Sequence, residues 1–203
     1  MKLSVDAIMA IAFAIALGIV SVSRLFAPIF WGEDFAPCAY ILSALALSIP
    51  FSGFANVIRM QYLIPNGMDG AYILSVILGA VSNLTANSLL IPRCGALGAA
   101  VGTVIAEGVV CAAQCLAVKK RIDILAYLKS TAFFGMAGLL MYGAVRVLDQ
   151  RAEITVSWLL LEIVVGGSVY CILYVLYLYH TKNELLMTAL QKLGGAHQNN
   201  DRG

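Results

Sequence analysis

Six long apolar runs decide what this chain can fold into. They cover residues 7–30, 38–58, 71–92, 96–118, 130–145 and 154–179. A helix needs about 20 apolar residues to cross the hydrocarbon core of a bilayer. Backbone groups in that core must be satisfied within the segment, and the runs do not alternate as barrel strands do. The sequence therefore predicts an all-α membrane protein, with a bundle of about six transmembrane helices over residues 1–180.

The composition excludes several other classes of protein. Of the 203 residues, 61% are hydrophobic and only 12% are charged, which excludes an ordinary water-soluble domain. A net charge of +2 gives no reason to expect a nucleic-acid partner. The sequence has no Asp-x-Asp pair, no metal-ligand cluster and no G-x-x-x-x-G-K-[ST] motif. We therefore expect no enzyme, no catalytic residues, no metal and no cofactor.

The basic residues are unequally distributed between the two ends of the predicted spans. Six spans place both termini on one side, and nine of the thirteen Lys and Arg residues fall there. Because positive loops favour the cytoplasm, we expect both termini in the cytoplasm of a multi-pass membrane protein. Leucines recur at helical spacing over 181–193, which predicts a cytoplasmic amphipathic helix. We expect 194–203 to form a disordered tail.

Polar residues inside the predicted spans are the best indication of function, because they are costly in hydrocarbon. Three consecutive runs each carry polar or small residues at helical spacing. These stripes are Ser48, Ser52, Asn56 and Arg59; Ser75, Gly79, Asn83 and Asn87; and Thr103, Glu107, Cys111 and Gln114. They predict either a shared water-filled surface or hydrogen bonds that join the helices.

The ionisable residues allow more specific expectations. Glu107 lies near the predicted midplane, where a lone charge costs at least ~2.5 kcal/mol, so it must be protonated, paired with an Arg or hydrated in a cavity. Arg24 either extends to the outer interface or faces the bundle interior. Arg59 is either a cytoplasmic anchor or part of a cavity. We expect an ion pair between Arg146 and Glu162.

Three segments carry a recognisable pattern. They are Phe30-Trp31-Gly32-Glu33-Asp34-Phe35, Gln61-Tyr62-Leu63-Ile64-Pro65, and Asn83-x-x-x-Asn87-x-x-Leu90-Ile91-Pro92-x-x-Gly95-x-x-Gly98-Ala99-Ala100-x-x-Thr103-x-x-Ala106-Glu107. The pattern resembles the C-terminal part of the polysaccharide-biosynthesis flippases. These form the O-antigen and oligosaccharide-lipid branch of the multidrug/oligosaccharidyl-lipid/polysaccharide exporter superfamily. The resemblance is strongest over residues 20–120 and extends to about 180.

The resemblance implies a function and a set of candidate residues. Members of the family move undecaprenyl-diphosphate-linked glycan units from the cytoplasmic to the periplasmic leaflet for polysaccharide biosynthesis. Their two helical lobes surround a central cavity and rock to give alternating access. The resemblance implies substrate-binding candidates at Arg24, Arg59, Asn56, Asn83 and Asn87, and ion-coupling candidates at Glu107 and Thr103.

The length of the chain leaves alternatives open. A complete family member has two lobes, whereas this chain corresponds to part of the second. We expect a fragment of a split or truncated gene, or a chain whose partner supplies the missing N-terminal lobe. Two other interpretations are a non-transporting membrane remnant or subunit, and a small multidrug-type exporter that works as a homodimer and also uses Glu107.

Overall fold

The computed structural model describes residues 1–150 and 152–200, with side chains described as far as residue 180. Every regular element in that part of the chain is helical. The elements are α1 (Lys2–Trp31), a 3₁₀ turn (Glu33–Phe35), α2 (Cys38–Ala46), α3 (Ser48–Ile58), a π turn (Arg59–Leu63), α4 (Asp69–Val118), α5 (Ile124–Asp149) and α6 (Val156–Asn200).

Five of the described helical segments are long and apolar enough to cross a membrane. One of the five, α4, is long enough for two crossings. Helix α4 has 50 residues, far more than the roughly 20 that one crossing needs. At Gly95 its backbone leaves the helical region, with φ 55° and ψ −133°. Only glycine adopts such a conformation at little cost. Gly95 therefore divides α4 into two halves, α4a (69–94) and α4b (96–118), and it lies between the predicted runs over 71–92 and 96–118.

The two halves of α4 pack against each other as an antiparallel hairpin. A Cβ atom added at Gly98 would lie 2.4 Å from the carbonyl oxygen of Leu90, and one added at Gly79 would meet Val110. Farther from the bend, Gln114 Nε2 donates a hydrogen bond to Ser75 Oγ at 3.2 Å. Small residues at these positions let the two backbones approach closely, which is how helices associate in membranes.

The predicted span over 38–58 is longer and less regular than expected. Helix α2 ends at Ala46 and α3 begins at Ser48. Pro50 explains the bend, because it has no N–H with which to bond the carbonyl of Ala46 one turn earlier. The span then continues to Leu63 through the π turn that begins at Arg59.

Helix α1 lies at the centre of the bundle and packs against α2, α3, α5 and α6. One buried cluster, which includes Val5, Met9, Ile58, Val118 and Phe134, joins the start of α1 to α3, α4b and α5. The N-terminus, the π turn and the 119–123 loop therefore lie at the same end of the bundle. The sequence placed all three on one side of the membrane.

Two boundaries differ from the predicted runs. Helix α5 begins at Ile124, where the Asp123 side chain accepts a hydrogen bond from the Ala126 backbone N–H and caps the helix. It continues past residue 145 to Asp149. The expected surface helix over 181–193 and tail over 194–203 lie outside the residues whose side chains are described, and both stay predictions.

Candidate functional site

A polar cavity lies where α3, the π turn and the two halves of α4 meet. Its volume is about 350 Å³. The residues that line it are Ser52, Ala55, Asn56, Arg59, Tyr72, Val76, Glu107, Val110 and Gln114. We call it the Arg59 cavity. Asn56 is exposed at its edge, so the cavity opens onto the surface of the bundle.

Arg59 is held in place by neutral partners. Its Nη1 donates to Tyr72 Oη at 3.3 Å, and its Nη2 donates to Asn56 Oδ1. The third guanidinium nitrogen, Nε, is buried and has no hydrogen-bond partner. Within the described residues both ion pairs involve Asp149, so none involves Arg59. Its positive charge is therefore oriented but not neutralised.

Helix α4b contributes the other polar groups of the Arg59 cavity. Gln114 is only 2% exposed, and its Oε1 has no hydrogen-bond partner although its Nε2 bonds Ser75. Glu107, seven residues earlier on the same face, is half-buried and forms no ion pair within the described chain. Of the three states expected for Glu107, its position at an open cavity agrees with hydration.

Three of the candidate residues lie elsewhere in the α4 hairpin. Asn87 Nδ2 donates to Asn83 Oδ1 at 2.9 Å, and Thr103 Oγ1 donates to the carbonyl oxygen of Ala99 at 3.1 Å. The Asn87 side chain also lies against Gly102 of α4b. None of these three side chains lines the Arg59 cavity. Both hydrogen bonds stay within one half of the hairpin, and the contact of Asn87 with Gly102 is the one that reaches the other half.

Arg24 lies at the opposite end of the bundle, in a second cavity of about 670 Å³ that Arg146 also lines. Its Nε is 3.0 Å from Asp149 Oδ1, and Arg146 Nη1 donates to Asp149 Oδ2 at 2.7 Å. Asp149 is buried, whereas about half of each arginine side chain is exposed. Arg24 and Arg59 therefore do not share a cavity.

The expected ion pair between Arg146 and Glu162 is wrong. Arg146 pairs instead with Asp149, three residues later on its own helix. The physical reason is that α5 does not stop at the first charged residue after its apolar run, so it places Asp149 one turn beyond Arg146. Glu162 is 1% exposed, and neither carboxylate oxygen has a hydrogen-bond partner.

The structure adds three residues to the candidates: Gln114 and Tyr72 line the Arg59 cavity, and Asp149 pairs with Arg24 and Arg146. Gln114 stands on the polar stripe of Glu107, so helical spacing already places it on that face. Tyr72 lies one turn before Ser75 at the start of α4a, where an aromatic residue is also typical of a membrane interface. Asp149 lies beyond the predicted run over 130–145, and no feature of the sequence distinguishes it from other charges near the ends of spans.

Comparison with known proteins gives a fold and no family. No protein-family model matches the chain, and no curated protein sequence matches it. Among solved structures, the chain is similar to one titled lipid II flippase MurJ, inward closed conformation, with a TM-score of 0.74 and 18% identity. The match covers 87% of this chain and 38% of that one. The chain thus shares the fold of part of that membrane protein.

Proposed function

We propose that this chain is part of a flippase that moves undecaprenyl-diphosphate-linked oligosaccharides across the inner membrane for O-antigen, capsule or exopolysaccharide synthesis. The observation that carries the proposal is Arg59, which has no ion pair in the described chain and lines an open polar cavity. The fold likeness to a lipid-precursor flippase supports the same class of cargo.

The chemistry of a diphosphate suits the Arg59 cavity. A diphosphate that crosses about 30 Å of hydrocarbon needs cationic partners, and a guanidinium offers a planar fork that matches phosphate oxygens. Tyr72 and Asn56 hold that fork without adding a negative charge. The lipid tail can stay in the bilayer while the head group enters the cavity.

The position of Arg59 indicates where the cargo enters. Arg59 lies at the end of the bundle that holds the N-terminus and the basic 119–121 segment, and the positive-inside rule assigns that end to the cytoplasm. The cavity would therefore take its cargo from the cytoplasmic leaflet, where glycan lipids are made. We keep Arg24 as the candidate contact at the outer end, because half of its side chain is exposed in the second cavity.

Glu107 is the candidate for coupling. It shares the cavity with Arg59, so its carboxylate competes with a diphosphate for the same positive charge. Protonation of Glu107 removes that competition, so proton binding and diphosphate binding at this cavity would be linked. Asn83, Asn87 and Thr103 receive no support as cargo or ion contacts from their positions, because none of them lines the Arg59 cavity.

The chain needs a partner to complete the pathway. It spans less than two fifths of the MurJ chain that it matches. Polar groups such as Asn56 and Glu107 cannot remain against lipid without a large cost. We infer that another lobe, whether on a separate chain or on a longer form of this one, faces the Arg59 cavity across water.

Lipid binding to the purified chain tests the proposal. The chain in detergent is mixed with undecaprenyl diphosphate or with uncharged undecaprenol, and the complexes are counted by native mass spectrometry. We expect undecaprenyl diphosphate to bind more strongly, and Arg59→Gln to weaken that binding by about tenfold or more, because charge-assisted hydrogen bonds contribute about 1.5–3 kcal/mol.

Arg93→Gln is the matched control, because Arg93 is an exposed arginine near the Gly95 bend of α4, away from the Arg59 cavity. It should leave undecaprenyl diphosphate binding unchanged. Equal binding of the two lipids, or equal losses in the two variants, would contradict the proposal and favour a membrane remnant that carries no cargo.

A further inference from the structure

A buried carboxyl group lies far from the Arg59 cavity. Glu162 of α6 lines a cavity of about 350 Å³ that α1 and α5 complete. It is 1% exposed, and neither of its Oε atoms has a hydrogen-bond partner. The other side chains around the cavity are mostly apolar, among them Val22, Met141, Val145 and Ile163. A buried carboxyl group with no partner requires an explanation.

The ionisable groups around Glu162 come from all three helices. The charged ones are Arg24 of α1 and Arg146 and Asp149 of α5. Asp149 forms ion pairs with both arginines, one at each of its carboxylate oxygens. From α6 itself, the Tyr170 hydroxyl lines the cavity and donates to the carbonyl oxygen of Ala10 at 2.7 Å. Cys171 also lines the cavity and is exposed.

We infer that Glu162 is a proton-binding site, and that it carries its proton whenever Asp149 holds both arginines. An ionised carboxylate in this position would have no hydrogen-bond donor and no free cation beside it, which is strongly disfavoured in a membrane. A metal ion is a poor substitute, because hard cations require several oxygen ligands. The nearby Ser21 and Tyr170 hydroxyls already donate to backbone carbonyls.

Release of the proton requires a change in the neighbouring ion pairs. Glu162 becomes stable as a carboxylate only when Arg24 or Arg146 leaves Asp149 and turns towards it. Each of these arginines belongs to a helix that packs against α6, so the proton on Glu162 is linked to how α1, α5 and α6 fit together. The inference goes beyond the proposed flippase function and does not depend on it.

A hydrophobic carbodiimide tests the inference directly, because it reacts with protonated carboxyl groups inside membranes. The carboxyl proton passes to a carbodiimide nitrogen while the carboxyl oxygen bonds to the central carbon, and rearrangement leaves a stable acylurea. Membranes that contain the full chain are treated near neutral pH, and the modified peptide is identified by mass spectrometry. We expect labelling at Glu162, and none at that peptide in Glu162→Gln.

A second variant distinguishes a proton site from a carboxyl group that is merely buried. Asp149→Asn frees both arginines to pair with Glu162, so we expect labelling of Glu162 to fall by about tenfold or more, because a carboxyl group that pairs with an arginine gives up its proton. Glu153→Gln, which removes an exposed acid from the adjacent loop, should leave labelling unchanged.

Two results would overturn the inference. One is an unlabelled Glu162 in the wild-type chain while Cys171, on the same cavity, reacts with an apolar maleimide in the same membranes. The other is labelling that is unchanged or stronger in Asp149→Asn. The wild-type arm requires no substitution, so the inference stays testable even if a variant does not fold.

Discussion

The Gly98→Ala substitution tests whether α4 is a closely packed hairpin rather than one long helix. The new Cβ would lie 2.4 Å from the Leu90 carbonyl oxygen, 2.6 Å from the Leu90 carbonyl carbon and 3.0 Å from the Ile91 nitrogen. All three are backbone atoms, so no side chain can rotate out of the way. Carbon–oxygen contacts prefer at least about 3.3 Å. The two halves of α4 must therefore separate by about 1 Å.

The size of the effect follows from a matched comparison with Gly108→Ala. Gly108 lies on the same half of the hairpin, and an added Cβ meets nothing within 4 Å. Both substitutions gain the same helix propensity of up to about 1 kcal/mol. The difference between them is thus the overpacking cost alone, about 1–3 kcal/mol. For a chain of this size, that corresponds to a difference in Tm of about 2–12 °C.

The assay is thermal unfolding of the purified chain in detergent, followed by the reaction of half-buried Cys111 and Cys115 with a fluorescent maleimide. We expect Gly98→Ala to unfold at a lower temperature than Gly108→Ala, which should match or slightly exceed the wild type. Equal Tm values for the two variants would refute the hairpin packing.

Three further predictions concern the cavity and the orientation of the chain. Tyr72→Phe removes the hydroxyl that accepts from Arg59, so we expect undecaprenyl diphosphate to bind about two- to tenfold more weakly, with an unchanged Tm. Glu107→Gln should abolish the pH dependence of glycan-lipid transport in vesicles, and unchanged pH dependence would exclude Glu107 as the coupling residue. Cys94, exposed beside the Gly95 bend, should react with an impermeant maleimide added outside the inner membrane. The new thiol of the Lys120→Cys variant should react only after the membrane is permeabilised. If Cys94 needed permeabilisation and the new thiol did not, the predicted topology would be reversed.

The candidate membrane spans were predictable because each depends only on the residues within its own segment. A run of about 20 apolar residues has few alternatives to a membrane helix. The division of α4 was also predictable, since Pro92 and Gly95 stand together between two such runs. In the structure Gly95 adopts the positive φ that separates the two halves of α4.

The set of residues that line the Arg59 cavity was only partly predictable from the sequence. Helical spacing assigns residues to a face, but it does not say how far along the neighbouring helix they lie. Asn83 shares a stripe with Ser75, yet it is eleven residues beyond Tyr72, about 16 Å along the helix at ~1.5 Å per residue. It is therefore too far from Arg59 to line the same cavity.

The ion pairs at the other end of the bundle were not predictable, because they depend on where a helix ends. The sequence ended the α5 run near Arg146 and treated Asp149 as part of a turn. In the structure the helix continues, and Asp149 is buried between two arginines. A charge that is paired within a membrane helix does not end that helix, and its partner on α1 is more than a hundred residues away in the sequence.

The most direct test of the central claim is the distribution of lipid-linked oligosaccharide between the two leaflets when the gene is depleted in its own cell. The account predicts that undecaprenyl-diphosphate-linked glycan accumulates in the cytoplasmic leaflet. The wild-type gene should restore its export, whereas a gene encoding Arg59→Gln should not. An unchanged leaflet distribution and unchanged surface glycan after depletion would contradict the claim that this chain takes part in flipping.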